Sequence, residues 1–218
     1  MTQDLLEVFQ SMDFSNKDDG ITLNDRVLII DGMNTFIRSF AAIPTMDENG
    51  NHIGGVTGFL KSVGYVIRKF KPSRVYVIFD GKGGSKRRRD IYPDYKLGRK
   101  PLTRLNRTYD MATEQDEQDL MRYELVIVAK ALMKLPITTI TLDYVEADDI
   151  ISYVAQHVVE NGGESIIYST DKDFLQLVGD GIKVWNPVRK KTYIPETVLE
   201  DYTIPVSYTH LRAHETRH

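Results

Sequence analysis

Hydrophobic spacing divides the chain into short apolar runs and helical stripes that alternate. Val27-Leu28-Ile29-Ile30 is a continuous apolar run closed by Asp31-Gly32, the pattern of a parallel strand buried on both faces. A short helix is predicted over 35–41, and Asn49-Gly50-Asn51 marks a turn. Val56, Phe59, Leu60, Val63, Ile67 and Phe70 then fall at helical spacing, up to a stop at Pro72. Residues 74–79 read as a second strand, again closed by Asp-Gly, at Asp80-Gly81. The segment 82–107 has no clean period. A helix is predicted over 121–135, with Leu125, Val128, Ala129 and Leu132 on one side, followed by a third strand over 137–142. Another helix begins near Ala147, with Ile150, Ile151, Val154 and Val158 facing inward. A fourth strand (165–168), a short helix (174–178) and a fifth strand (182–185) complete the pattern. Strands that alternate with helices predict an α/β fold, a mainly parallel central sheet with helices on both faces. Residues 1–25 form a polar, acidic lead.

Composition narrows the function. With 218 residues and 41% hydrophobic content, the chain is long enough for one sizeable core. No apolar run approaches the roughly 20 residues of a membrane-spanning helix, so no membrane partner is expected. Met1-Thr2-Gln3-Asp4 lacks the basic and apolar regions of a signal peptide, which predicts a cytoplasmic protein, in the host cytoplasm if phage-encoded. The chain has no cysteine, which excludes disulfides, thiolate metal sites and cysteine catalysis. The net charge of −3 hides an asymmetry: 82–107 holds ten basic and two acidic residues, net +8, leaving −11 on the rest. A basic patch on an acidic body points to a polyanionic partner held near an acidic centre.

In open α/β sheets, ligands bind beyond the carboxyl ends of the strands. Acidic residues stand at that edge four times: Asp31 after strand one, Asp80 after strand two, Glu146, Asp148 and Asp149 after strand three, and Asp171 and Asp173 after strand four. Singly, each has a bland reading, as a turn former before glycine or as a helix cap. Four such placements on one edge are a different matter, because seven carboxylates would repel one another at neutral pH. Hard divalent ions such as Mg²⁺ prefer carboxylate and water oxygens, and a pair roughly 4 Å apart suits phosphodiester displacement. Two Mg²⁺ ions are therefore expected, with Mn²⁺ able to substitute.

These residues carry a family resemblance. Leu28-Ile29-Ile30-Asp31-Gly32, Val77-Ile78-Phe79-Asp80-Gly81, Tyr95-Lys96-x-x-Arg99, Glu146-Ala147-Asp148-Asp149 and Ser169-Thr170-Asp171-Lys172-Asp173-Phe174 stand in an order that resembles the 5′-nucleases: flap endonucleases, phage 5′-exonucleases and ribonuclease H, and the 5′-nuclease domain of bacterial DNA polymerase I. The resemblance implies a PIN-like catalytic domain over 26–205 and a basic arch insertion over 82–112. It makes Asp31, Asp80, Glu146 and Asp148 ligands of a first metal, and Asp149, Asp171 and Asp173 contributors to a second. It gives Lys96 and Arg99 a catalytic role at the scissile phosphate. Arg88, Arg89, Tyr92, Tyr95, Lys96, Arg99 and Lys100 become nucleic-acid contacts, with Arg87–Arg89 as a solvated basic loop touching phosphates only. The implied reaction is metal-dependent 5′-3′ exonuclease or flap-endonuclease hydrolysis, leaving 5′-phosphate and 3′-hydroxyl ends. The implied partners are DNA and RNA–DNA hybrids with a 5′ single-stranded end or flap, met by a monomer during primer removal in replication.

Other readings fit less of the chain. A haloacid-dehalogenase-like phosphatase needs a second aspartate two residues after the first, where Met33 stands. A PIN-type ribonuclease shares the sheet and acids but not the basic insertion, and a phosphate-binding glycine loop is absent from Gly81-Lys82-Gly83-Gly84-Ser85-Lys86. Residues 206–218 resemble translated sequencing-adaptor read-through, so His214-Glu215-Thr216-Arg217-His218, a zinc-protease pattern, is set aside. The authentic chain is then cut short near Pro205, before the helix–hairpin–helix module and Gly-Asp motif of the family. That makes a non-catalytic nucleic-acid-binding fragment the alternative function.

Overall fold

A computed structural model describes residues 24–85, 89–90, 92, 94, 105–106, 109 and 113–202. Six strands form one sheet: β1 (Arg26–Asp31), β2 (Arg74–Asp80), β3 (Thr138–Leu142), β4 (Glu164–Tyr168), β5 (Ile182–Asn186) and β6 (Lys191–Tyr193). Their order is β3-β2-β1-β4-β5-β6, parallel throughout except for the antiparallel β6. The helices are α1 (Gly32–Ala42), α2 (Gly54–Phe70), α3 (Glu114–Leu132), α4 (Ala147–Glu160) and α5 (Pro195–Tyr202), with a 3₁₀ turn at Asp173–Leu177.

The apolar run of β1 divides by the two-residue strand period. Val27 and Ile29 join a core layer with α4, the 3₁₀ turn and α5. Leu28 and Ile30 join another, with α1, α2 and α3. All four are fully buried, so β1 is the centre of the molecule and its carboxyl end is rigidly placed.

Three elements depart from the sequence reading. Helix α3 starts seven residues before the predicted 121, at a capping box in which Thr113 and Asp116 exchange side-chain and backbone bonds. Its inward stripe is Glu117, Glu124, Val128 and Leu132, and two glutamates at core positions hide the period from a hydrophobicity count. Strand β6 and helix α5 were not predicted, because three residues and eight residues of mixed polarity carry little periodic signal.

The two buried glutamates are fully used. Glu124 Oε2 accepts from Val56 N (2.9 Å), which serves the start of α2, and its Oε1 lies 2.7 Å from His52 Nδ1. Glu117 accepts from Asn106 N at 2.7 Å, and Asn106 Nδ2 donates to Phe40 O at 2.7 Å. This network ties α1, α2 and α3 together.

Candidate active site

Sheet order reverses between β1 and β4, since β2 and β3 lie to one side of β1 and β4 to β6 to the other. In parallel sheets, this switch point opens a crevice at the carboxyl edge. Ile30 pairs with Tyr168, so Asp31 and Ser169 emerge side by side into it.

Asp31 is 6% exposed and held from two sides. Its Oδ1 accepts from Asn34 N at 3.0 Å, which caps α1, and its Oδ2 accepts from the Ser169 hydroxyl at 2.9 Å. Asn34 Oδ1 in turn accepts from Thr170 N (3.2 Å) and the Thr170 hydroxyl (2.9 Å). Ser169 Oγ also accepts from Asp171 N at 3.1 Å, and Asp171 Oδ1 accepts from Asp173 N at 2.9 Å. The loop after β4 is thereby tied to the start of α1.

Asp80 does the same work across the other gap. Glu146, the residue before α4, makes no side-chain cap, and Asp80 Oδ1 accepts from Ala147 N at 2.9 Å in its place. Glycine follows both strand-ending aspartates because backbones crowd there. A Cβ on Gly32 would lie 2.6 Å from the Phe79 ring, and one on Gly81 would fall inside the carbonyl of Leu142. The Asp-Gly pairs are close-approach sites between neighbouring strands, beyond any role as turns.

Burial first, then the charges of Asp80 and Asp171, push the Asp31 carboxyl up to about 6, against its bonds to Asn34 and Ser169. Burial likewise leads at Asp148, with Asp31, Asp171, Asp80 and Glu146 adding repulsion, and it too rises to about 6. Five of the seven candidate carboxylates therefore share one field: Asp31, Asp80, Glu146, Asp148 and Asp171. Among the described residues no lysine or arginine pairs with Asp31, Asp80, Asp148 or Asp171. Asp149 and Asp173 are exposed, on the first turns of α4 and the 3₁₀ turn, and neither is among the charges that raise Asp31 and Asp148.

Among the described residues, no three acidic or histidine side chains are gathered tightly enough to cage an ion by themselves. The donor set nevertheless fits hard divalent cations in its chemistry, being all carboxylate. Of the proposed nucleic-acid contacts, Arg89 bonds to the Ser85 hydroxyl and Tyr92 is largely exposed. Arg88, Tyr95, Lys96, Arg99 and Lys100 lie outside the described residues, as does the 214–218 pattern. Sequence reasoning gave no role to Asn34, Ser169 and Thr170, the residues that orient the acids. For Asn34 the signal was positional: it stands three residues after a strand-ending aspartate, where the backbone N–H donates to a helix-capping side chain.

Comparison with known proteins gives this edge a context. Residues 26–203 match the family model described as 5′-3′ exonuclease, N-terminal resolvase-like domain. A 5′-3′ exonuclease of Aquifex aeolicus is 30% identical over 177 residues, covering 81% of this chain and 56% of the relative. The flap endonuclease Xni of Shewanella denitrificans is 36% identical over 161 residues, 73% of this chain and again 56% of the relative. The chain thus spans a little over half the length of these relatives. Among solved structures, the T5 5′-exonuclease with zinc bound superposes with a TM-score of 0.64 at 17% identity, covering 84% of this chain and 64% of the other. The T5 D15 protein co-crystallised with metal ions gives 0.62 at 22%, covering 83% and 62%. These two share the fold.

Proposed function

Because the chain belongs to the 5′-3′ exonuclease family, through that family's N-terminal resolvase-like domain, we propose that it is a nuclease unit hydrolysing phosphodiesters at 5′ ends and flaps with divalent cations. The observation that carries this reading is the buried Asp31 carboxylate, which shares its field with Asp80, Glu146, Asp148 and Asp171 at the switch point of the sheet. We take 26–205 as the catalytic unit, 82–112 as its arch and 206–218 as foreign to it. The relatives' names, 5′-3′ exonuclease and flap endonuclease, agree with a DNA substrate. RNA–DNA hybrids with a 5′ end or flap, and action as a monomer, complete the proposal. Among the described residues no helix is long and apolar enough to cross a membrane.

Asp31, Asp80, Glu146, Asp148 and Asp171 would hold the cations, Mg²⁺ or Mn²⁺, with Asp149 and Asp173 able to join through bound water. A divalent ion held by these carboxylates would supply a water of lowered pKa and positive charge against the leaving oxygen. The chain's own groups prepare that chemistry. Ser169 and Asn34 hold Asp31 in one orientation, and Asp80 keeps its bond to Ala147 N, so the carboxylates need little reorganisation when substrate arrives. Lys96 and Arg99 are assigned to the scissile phosphate, steadying charge in the transition state. Arg88, Arg89 and Lys100 are assigned to backbone phosphates, and Tyr92 and Tyr95 to unpaired bases.

A 5′-labelled flap substrate in Mg²⁺ tests the proposal. The chain is expected to release 5′-phosphorylated product, with EDTA or Asp148→Ala stopping turnover while binding persists. Equal cleavage by Asp148→Ala would refute it.

A further inference from the structure

The amino-terminal edge of the sheet, opposite the carboxylates, holds a cavity of about 400 Å³. Arg26 at the start of β1, Lys69 near the end of α2 and Lys183 on β5 line it, with Glu164 at the start of β4. Outside 82–107 the chain carries a net charge of −11, so three cations gathered in one pit run against their background. Glu164 serves two of them: Oε1 lies 3.1 Å from Arg26 Nε, and Oε2 lies 2.7 Å from Lys183 Nζ. Lys69 pairs with no carboxylate among the described residues. Its Nζ stands over aromatic faces instead, 4.4 Å from the Trp185 ring centre and 5.5 Å from that of Phe70. Trp185 packs edge-on against Phe70 and is 4% exposed, yet its indole Nε1 has no hydrogen-bond partner among the described residues. Buried donors rarely stay unpaired. Unused donors therefore collect along and behind one wall of the cavity.

The rest of the lining is largely apolar, from Phe70, Ile166 and Ile194. Cations that border apolar surface match a ligand carrying a carboxylate next to an apolar group. The last residue of a polypeptide has that form, because its α-carboxylate and its side chain share one carbon. A nucleic-acid strand fits less well. Its phosphates call for a basic groove that tracks the backbone. These cations surround a single pit, and Glu164 already neutralises part of their charge. The place also argues against substrate, since Arg26 and Asp31 stand at opposite ends of the six-residue β1, roughly 17 Å apart.

We infer that this cavity is a docking site for the carboxyl-terminal end of a partner protein, an acidic chain end whose last side chain is apolar. The terminal carboxylate meets Lys69, the apolar side chain lies against Phe70 and Ile166, and preceding acidic residues meet Arg26 and Lys183. The inference is independent of the nuclease reading, and it leaves the carboxylate edge open for substrate.

The probe is the peptide Asp-Glu-Leu-Phe, ending either in a free carboxylate or in an amide. Affinity for the full chain is read by anisotropy of peptide labelled with fluorescein at its amino end. The place of binding is read with unlabelled peptide from the emission of Trp185, the sole tryptophan. Wild type is expected to bind the carboxylate peptide saturably with a shift in that emission, and the amide about fivefold more weakly. Lys69→Met keeps an apolar stem over Trp185 and removes the charge. It should bind the carboxylate peptide about fivefold more weakly than wild type does, and the amide equally well. The inference is overturned if the carboxylate peptide does not bind, if it binds no better than the amide, or if Lys69→Met binds both as wild type does. Displacement of the peptide by single-stranded oligothymidylate would assign the cavity to nucleic acid and overturn it too.

Discussion

The Ser169 hydroxyl donates to Asp31 Oδ2 at 2.9 Å, joining the ends of β1 and β4 where the sheet order reverses. One small side chain thus orients the buried Asp31 and, through its bond from Asp171 N, the loop that carries the next acid. Ser169→Ala removes both contacts. It should weaken divalent-ion affinity by about tenfold, the low end for groups that orient metal ligands. The stability cost should be small, about 1 kcal/mol. Calorimetric Mn²⁺ titration and urea unfolding of the same variant separate the two effects.

The raised carboxyls make stability depend on pH with a definite sign. Asp31 moves from an ordinary 3.8 to about 6 on folding, so the native state binds its proton more tightly than the unfolded chain. The associated stability is fully present below about 4 and is lost as pH rises through about 6. For Asp31 this amounts to roughly 3 kcal/mol, shared with the coupled Asp148. Without metal, Asp31→Asn should therefore be more stable than wild type at pH 8 and close to it at pH 3.5. Melting curves across this range in EDTA check the sign, and saturating Mg²⁺ should abolish the advantage of the variant at pH 8.

Gly81 is where β2 and β3 approach too closely for a side chain. Gly81→Ala would force Leu142 away from Asp80 and should cost about 3 kcal/mol, the upper range for overpacking. A shift of the urea midpoint at unchanged slope measures it. The same substitution at Gly50, where a Cβ meets nothing within 4 Å although φ is +80, probes backbone strain without a clash.

The buried frame far from the acidic edge should answer to its hydrogen bonds rather than its charges. Glu124→Ala leaves His52 Nδ1 and Val56 N without their acceptor and should cost about 3 kcal/mol. Glu124→Gln keeps an acceptor oxygen for one of them and should cost about 1 kcal/mol. Thermal unfolding of the pair distinguishes these outcomes.

The parallel sheet was legible because β1 and β2 are apolar runs closed by Asp-Gly, because β3 to β5 are short stretches rich in β-branched or aromatic residues, and because helical stripes separate them. Residues Asp31, Asp80, Glu146, Asp148 and Asp171 were legible because position after a strand already implies the carboxyl edge. The start of α3 was not, since Glu117 and Glu124 occupy core positions through hydrogen bonds that no hydrophobicity pattern records. Nor was the dual use of Asp80, which caps a helix 67 residues later in the chain. Long-range partners of that kind leave no local spacing. The exposure of Asp149 and Asp173 follows the same logic: neighbours of buried acids on a helix or tight turn point elsewhere, although the sequence lists them side by side.

Mn²⁺ titration calorimetry at neutral pH on wild type and Asp148→Ala tests the central claim most directly. The carboxylate edge should take up at least one ion in wild type and bind it at least tenfold more weakly in Asp148→Ala, as loss of a direct ligand requires. No uptake at millimolar Mn²⁺, or identical isotherms for the two proteins, would contradict a metal-holding role for these acids.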